Sequence, residues 1–125
     1  MTILGAVIQG KGEGQRLGYP TANVRYQSTL PPEHGVWVAR ALVGFRVLRG
    51  VAVVGMWDLG NTLPSVEMHL FDCAQDLYGK NLGISLLKKI RDLETFSDDP
   101  SLRAQIEKDI MATKEYFAAT CVSDL

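Results

Sequence analysis

The chain has few cysteines, no long hydrophobic run and little excess charge, and each of these limits narrows the class of protein. Cys73 and Cys121 are its two cysteines, and their spacing is typical of neither a metal site nor a disulfide framework. Every apolar run is far shorter than the ~20 residues that span a bilayer. The amino terminus shows no basic region followed by a long apolar segment. These absences predict a cytoplasmic protein with free thiols and no membrane partner.

The formal net charge is only −1, with 46% hydrophobic and 22% charged residues among 125. So small an imbalance argues against a surface built for polyanions, and no nucleic acid is expected as a partner. The sequence also lacks a Walker-type Gly-x-x-x-x-Gly-Lys-Ser/Thr loop, internal repeats and linkers. The length therefore predicts one domain over residues 1–125, large enough for its own core, and we expect a monomer.

Short segments rich in β-branched and aromatic residues, separated by turn residues, occupy the first three-quarters of the chain. Gly44 predicts a turn, Gly50 and Gly55 predict bulges or close backbone approaches, and residues 88–93 are ambiguous and suggest a helical turn. The strand candidates are residues 2–9, 22–26, 36–43, 47–57, 65–71 and 81–87.

A helix is predicted near the carboxyl end, at about residues 99–118. Asp98 or Asp99 suits the N-cap and Pro100 the first turn. Apolar residues then recur near helical spacing, and this helix shows no chemistry of its own. Many strands followed by one helix predict a small antiparallel barrel or sandwich, over about residues 3–90, capped by that helix.

Four glycines at positions 10, 12, 14 and 18 follow the first apolar segment. Such density lets backbone N–H groups turn toward an anion, although a flexible glycine-rich hairpin is the simpler alternative. Thr21 and Asn23 follow at i, i+2. On an extended chain their oxygens point the same way, as a magnesium ion held with phosphate requires.

Residues 65–71 alternate, with Glu67 and His69 on one face and Val66, Met68 and Leu70 on the other. The polar face is either simply exposed to solvent or a binding face, and the pattern alone does not decide between them.

Several segments together resemble the riboflavin kinases (flavokinases), in the same order and over roughly residues 5–118. The first is Gly-Lys-Gly-Glu-Gly-Gln-Arg-Leu-Gly-Tyr-Pro-Thr-Ala-Asn at residues 10–23, followed by Leu-Pro-Pro-Glu-His-Gly-Val-Trp at 30–37. The others are Val-Glu-Met-His-Leu-Phe-Asp at 66–72, Asp-Leu-Tyr-Gly-Lys at 76–80, and Ile-Arg-Asp at 90–92 with Phe96.

The resemblance implies a six-stranded antiparallel Greek-key barrel with a carboxy-terminal helix. It also implies ATP-dependent phosphorylation of the riboflavin ribityl 5′-hydroxyl to FMN. Glu67 is then the catalytic base, and Thr21 and Asn23 hold Mg²⁺ between the ATP phosphates. The remaining implied cofactor- and substrate-binding residues are Gly10, Gly12, Gly18, Pro20, His69, Tyr78, Arg91 and Phe96. For His69 a hydrogen bond on the barrel surface, and for Phe96 a role as core anchor, are open alternatives.

The sequence departs from the family's pattern at four points. Glu13 and Gln15 stand where basic residues are usual, and Leu93 stands where a glutamate is frequent. Residues 53–59, Val-Val-Gly-Met-Trp-Asp-Leu, replace an Asn-x-Gly-x-x-Pro-Thr stretch, and the adenylyltransferase domain of many bacterial relatives is not seen. These departures keep a non-catalytic flavin- or nucleotide-binding barrel open as the alternative function. A barrel that binds single-stranded nucleic acid is a more distant one.

Overall fold

Six β-strands and one α-helix form the part of the chain that the computed structural model describes. That part comprises residues 2–8, 21–26, 33–55, 65–71, 73 and 77–120. The helix, α1, spans Asp99–Thr120. The strands are β1 (Thr2–Ile8), β2 (Ala22–Tyr26), β3 (Gly35–Val43), β4 (Arg46–Gly55), β5 (Ser65–Leu70) and β6 (Asn81–Arg91).

The strands form a closed antiparallel barrel in the order β1-β2-β5-β4-β3-β6. Closure follows because β1 pairs with both β2 and β6. Strands β2 and β5 are neighbours although two strands separate them in sequence. The predicted six-stranded barrel with one carboxy-terminal helix is therefore confirmed.

Side chains fill the interior of the barrel. Because successive residues of a strand point to opposite faces, every second residue is directed inward. Val24, Val54, Val66, Met68 and Ile84 are fully buried there. With the interior packed, a ligand site has to lie on the outside of the barrel.

Two strand features decide the geometry near the site. The expected helical turn at residues 88–93 is wrong, because β6 continues to Arg91 by pairing with β3 through two register shifts. Such irregularities let a strand bend without leaving its partner. The expected close approach at Gly50 is confirmed, since a Cβ there would collide with the backbone carbonyl oxygen of His69 on β5. No register shift interrupts the pairing of β4 with β3 or β5.

Helix α1 begins as the sequence predicts. The Asp98 carboxylate accepts a hydrogen bond from the Ser101 backbone N–H at 2.8 Å, which caps the helix and holds the pKa of Asp98 below its ordinary value. The helix then packs on the outer face of β3 and β4, where Thr113 and Phe117 are buried. Among the described residues, no helix has the length and apolarity needed to cross a membrane.

Candidate functional site

One row of directly paired residues crosses the outside of the barrel and carries three of the predicted site residues. Asn23 on β2 pairs with Glu67 on β5, and Glu67 pairs with Val53 on β4. Val53 pairs with Val36 on β3, and Val36 pairs with Arg91 on β6. The register thus places an amide, a carboxylate and a guanidinium in line across five strands.

The side chains of this row face outward. On β5, Val66, Met68 and Leu70 are buried in the barrel core, whereas Glu67 and His69 are only half-buried. The alternation predicted from the sequence is therefore present, and the polar face is not simply exposed to solvent, because the carboxy-terminal segment covers it. Both side chains line a cavity.

The cavity lies between the outer face of the barrel and α1 and has a volume of about 180 Å³. That is more than ten times the ~10–15 Å³ of the same kind of volume that a site for one water molecule needs. Its walls combine an apolar surface with a few polar groups, as ligand sites do. The described residues that line it are Thr21, Val36, Val51, Val53, Glu67, His69, Arg91, Leu93, Glu94, Phe96, Leu102, Ile106 and Asp109.

Arg91, the last residue of β6, forms a two-pronged ion pair with Asp109 of α1. Arg91 Nε donates to Asp109 Oδ1 at 3.0 Å and Nη2 donates to Oδ2 at 2.9 Å. Asp109 is 4% exposed, so this pair lies where water screens it little. Paired N–H donors on a planar guanidinium fix the orientation of the arginine as well as its position.

Phe96 lies near Arg91, whose guanidinium carbon is 5.9 Å from the centre of the ring. This is within the range of a cation–π contact. Phe96 is half-buried and lines the cavity together with Leu102 and Ile106 of α1. An aromatic ring, two aliphatic side chains and a guanidinium plane together form a surface suited to a flat, largely apolar ring system.

The His69 ring contacts an aromatic ring just beyond the end of β5. Its ring meets that of Phe71 edge to face at 5.7 Å between centres, and the Lys114 ammonium lies 5.5 Å from the Phe71 ring. The imidazole therefore packs against Phe71 at the edge of the cavity, which limits its freedom to rotate.

Ion pairs fix the chain as it leaves β6. Lys89 Nζ lies 2.6 Å from the Asp92 carboxylate and 3.1 Å from that of Glu33. The hydrogen bond from Lys89 lowers the pKa of Asp92, and the bonds to Asp92 and Glu33 raise the pKa of Lys89. These contacts tie the start of the segment that carries Phe96 to the segment before β3.

The structure brings most of the predicted site residues together. Thr21, Glu67, His69, Arg91 and Phe96 line the cavity, and Asn23 pairs with Glu67 beside it. Tyr78 does not line it: its side chain is 63% exposed, in a turn whose Gly79 bonds to Val7 of β1. The predictions for Gly10, Gly12, Gly18 and Pro20 fall outside the described residues, as do those for Glu13 and Gln15.

The sequence patterns do not predict Asp109 as a site residue, and they indicate no chemistry on the helix. The available signal was an acid on the apolar side of α1, three residues after Ile106 and seven after Leu102. A charged side chain at such a position is rarely buried unless it is paired. Its partner lies on a strand eighteen residues earlier, which no helical periodicity reveals.

A closed barrel whose outer face and terminal helix enclose a cavity with a carboxylate, an imidazole and an arginine–aromatic pair is a small-ligand-binding domain. The comparisons with known proteins are specific about which kind. The family model described as flavokinase, riboflavin kinase, matches residues 1–117. The chain belongs to the riboflavin kinase family.

Three relatives illustrate the match. The bifunctional riboflavin kinase/FMN adenylyltransferase of Escherichia coli strain K12 is 37% identical over 120 residues, which cover 94% of this chain and 38% of that protein. The RNA-binding riboflavin kinase RibR of Bacillus subtilis is 38% identical over 120 residues, covering 94% of this chain and 52% of that protein. The crystal structure of riboflavin kinase from Trypanosoma brucei has the same fold, with a TM-score of 0.65 at 20% identity over 94% of this chain and 79% of that one.

The chain therefore spans about two fifths of the length of the bifunctional relatives and about half of the RNA-binding one. The shared part is the barrel with its helix.

Proposed function

We propose that this chain transfers the terminal phosphoryl group of ATP to the ribityl 5′-hydroxyl of riboflavin, giving FMN and ADP. The observation that carries the proposal is the row Asn23–Glu67–Val53–Val36–Arg91, which borders a cavity closed by α1. An amide, a carboxylate and a guanidinium in that order support the proposed reaction. Membership of the riboflavin kinase family supports the same reaction.

Glu67 is the proposed general base. Its carboxylate takes the proton of the 5′-hydroxyl while that oxygen forms a bond to the γ-phosphorus. The bond from the γ-phosphorus to the β–γ bridging oxygen breaks at the same time, and ADP leaves with that electron pair. A carboxylate that is half-buried at the edge of a cavity can reach a bound hydroxyl while being partly shielded from water.

Thr21 and Asn23 are the proposed ligands of Mg²⁺, with His69 and the glycines at 10, 12 and 18 and Pro20 completing the ATP side. The side-chain oxygens of Thr21 and Asn23 are hard donors, which Mg²⁺ prefers together with phosphate oxygens. Thr21 lines the cavity and Asn23 lies one strand from Glu67, so the donor set fits the ion. When bound, Mg²⁺ neutralises charge on the transferring phosphoryl group.

Arg91 and Phe96 form the proposed flavin end of the site. Three strand spacings separate Glu67 from Arg91, about 14 Å along the curved sheet at ~4.8 Å per strand. That separation leaves room for a tricyclic ring at Arg91 and Phe96 with a five-carbon chain reaching back to Glu67. The proposed partners are thus riboflavin and ATP, in the cytoplasm where ATP is present. Tyr78 lies outside the cavity, in the turn that bonds to β1, and it is proposed to contact the ligand only from that turn.

The test is to incubate the purified chain with riboflavin, ATP and magnesium and to measure FMN by chromatography, with Glu67→Gln in parallel. General base catalysis contributes about 10²–10⁴-fold, so we expect kcat of Glu67→Gln to fall by that factor. Its affinity for riboflavin, measured by quenching of flavin fluorescence, is expected to stay within about twofold, because the amide keeps the shape of the side chain. Glu115→Gln, an exposed glutamate of α1, is the control for loss of one negative charge.

The apolar side chain of Leu93 supports a second candidate function. In this alternative the barrel binds flavin without transferring phosphate. This leucine lines the cavity and is 44% exposed, and its tip lies 3.1 Å from where a Cβ of Gly55 would be. Leu93 therefore offers an apolar surface where an acidic side chain would offer a hydrogen-bond acceptor. Flavin quenching with no FMN formed would select this candidate, whereas FMN from the native chain would exclude it.

A further inference from the structure

Asp109 and Thr113 are the buried polar side chains of α1 among the described residues, and Asp109 is the one that carries a charge. Its carboxylate accepts three hydrogen bonds: two from Arg91, and one from Gln105 Nε2 to Oδ1 at 3.1 Å. Its backbone carbonyl accepts a further bond from the buried Thr113 hydroxyl at 2.8 Å. The carboxylate is therefore held from both its own helix and the barrel, and neither oxygen is left without a donor.

Arg91 has more N–H donors than its hydrogen bonds to the described residues use. A guanidinium has five N–H donors. Two go to Asp109, and Nη1 gives a third to the backbone carbonyl of Asp92 at 3.1 Å. Within the described part of the chain, two donors remain, one each on Nη1 and Nη2. A guanidinium donor that the protein does not engage can bind an acceptor atom of a ligand.

Arg91 also differs in charge from the other described residues around the cavity. Of the described residues that line it, Arg91 is the one with a permanent positive charge. Arg91 therefore presents a positive charge at the cavity wall, and the Phe96 ring beside the guanidinium limits where a ligand plane can lie.

We propose that Asp109 is a positioning residue for substrate: it holds Arg91 so that the two remaining N–H donors face carbonyl or ring-nitrogen acceptors on the flavin. The inference rests on the proposed function and assigns to α1 a part in recognising the flavin ring. Asp109 itself acts only through Arg91. Without its carboxylate, the guanidinium keeps its charge but loses the two bonds that set its plane.

The experiment measures riboflavin affinity and turnover for Asp109→Asn. The amide keeps one acceptor but turns a donor toward Arg91, so we expect the Kd and KM for riboflavin to rise about tenfold or more, as for loss of a charge-assisted hydrogen bond. The KM for ATP is expected to stay within about twofold, since the metal ligands and Glu67 lie on other strands. Affinity is read from quenching of flavin fluorescence, which does not depend on turnover.

Two variants of the same helix separate positioning from simple support of the fold. Phe117→Leu removes part of a buried ring at the far end of α1, where Arg49 covers it, and so lowers the melting temperature without touching Arg91. Glu115→Gln removes an exposed charge. Both are expected to keep the native Kd for riboflavin. If Phe117→Leu weakens riboflavin as much as Asp109→Asn at equal loss of stability, Asp109 only supports the helix and the inference is overturned.

Gln105→Leu decides the case if Asp109→Asn does not fold. This variant leaves the ion pair in place but removes one bond that orients the carboxylate, so a roughly threefold rise in the riboflavin Kd is expected, and an unchanged Kd overturns the inference. A native chain that binds riboflavin but makes no FMN refutes the proposed transfer while the binding comparison still tests Asp109. A native chain that binds no riboflavin refutes both.

Discussion

The close contact between β4 and β5 at Gly50 gives a sharp test of how the barrel sets the position of Glu67. Gly50 is buried and pairs with Leu70, and a Cβ built on it would collide with the carbonyl oxygen of His69. It would also lie 3.0 Å from the His69 carbonyl carbon and 3.1 Å from the Leu70 Cα. All three atoms are backbone, so no side chain can rotate away. In Gly50→Ala, β5 has to move as a whole.

The size of the effect follows from that displacement. Restoring a normal carbon–oxygen separation moves β5 by about 1 Å. Overpacking of this kind costs about 3 kcal/mol, which lowers the melting temperature by about 10 °C for a domain of this size. Because β5 carries Glu67, a displacement of about 1 Å is also expected to lower kcat for FMN formation about 10²-fold.

The assay combines thermal unfolding with FMN formation, and Gly44→Ala is the matched control. Gly44 has φ of 61° in the β3–β4 turn, and a Cβ there would meet no atom within 4 Å. Its replacement costs about 1 kcal/mol through backbone strain alone and leaves kcat unchanged. If Gly50→Ala keeps the native melting temperature and turnover, the contact between β4 and β5 is looser than the structure has it, and the reasoning is refuted.

Two further predictions concern the segment between β6 and α1. Asp98→Ala removes the helix cap and is expected to lower the melting temperature by a few degrees near neutral pH. Since the Ser101 N–H lowers the pKa of Asp98, this stabilisation is present above the ordinary pKa of 3.8 and is lost as pH falls through the lower folded value. The two melting temperatures should therefore converge as the pH falls below the ordinary pKa and through the lower folded value, and a constant gap would contradict the cap. Phe96→Leu is expected to raise the riboflavin Kd about three- to tenfold with an unchanged KM for ATP. Equal quenching curves for Phe96→Leu and the native chain would place Phe96 outside the flavin site.

Local sequence signals were enough to predict most of the strands, whereas the closed six-stranded barrel was expected from the resemblance to the riboflavin kinases. The alternation at residues 65–71 correctly assigned Glu67 to the outer face, because the period of a strand is fixed by its backbone geometry. The length of β6 was not predictable in the same way. Residues 88–91 lack clean alternation, since two register shifts against β3 break the period. Only the pairing partner, which is distant in sequence, keeps this segment extended.

The site shows the same division between local and distant information. Glu67 and Asn23 are predicted site residues that short motifs single out, and the fold pairs them across β5 and β2. Asp109 was missed because its meaning depends on Arg91, and no pattern within one helix identifies a partner on a strand. Buried charges are costly unless paired, so an acid on an apolar helix face is a signal that a partner exists, but it does not say where.

The packed interior of the barrel explains why the helix takes part in the site at all. Small side chains such as Ala39 and Ala52 and larger ones such as Met68 and Ile84 fill the space inside, so no ligand can enter there. A cavity on the outer face needs a second wall, and α1 supplies it with Leu102, Ile106 and Asp109. The helix is joined to the barrel at this point through the buried ion pair with Arg91, whose geometry is directional, and not through apolar contact alone. The shape of the cavity therefore depends on how α1 docks, and any ligand that engages Arg91 also favours the docked helix.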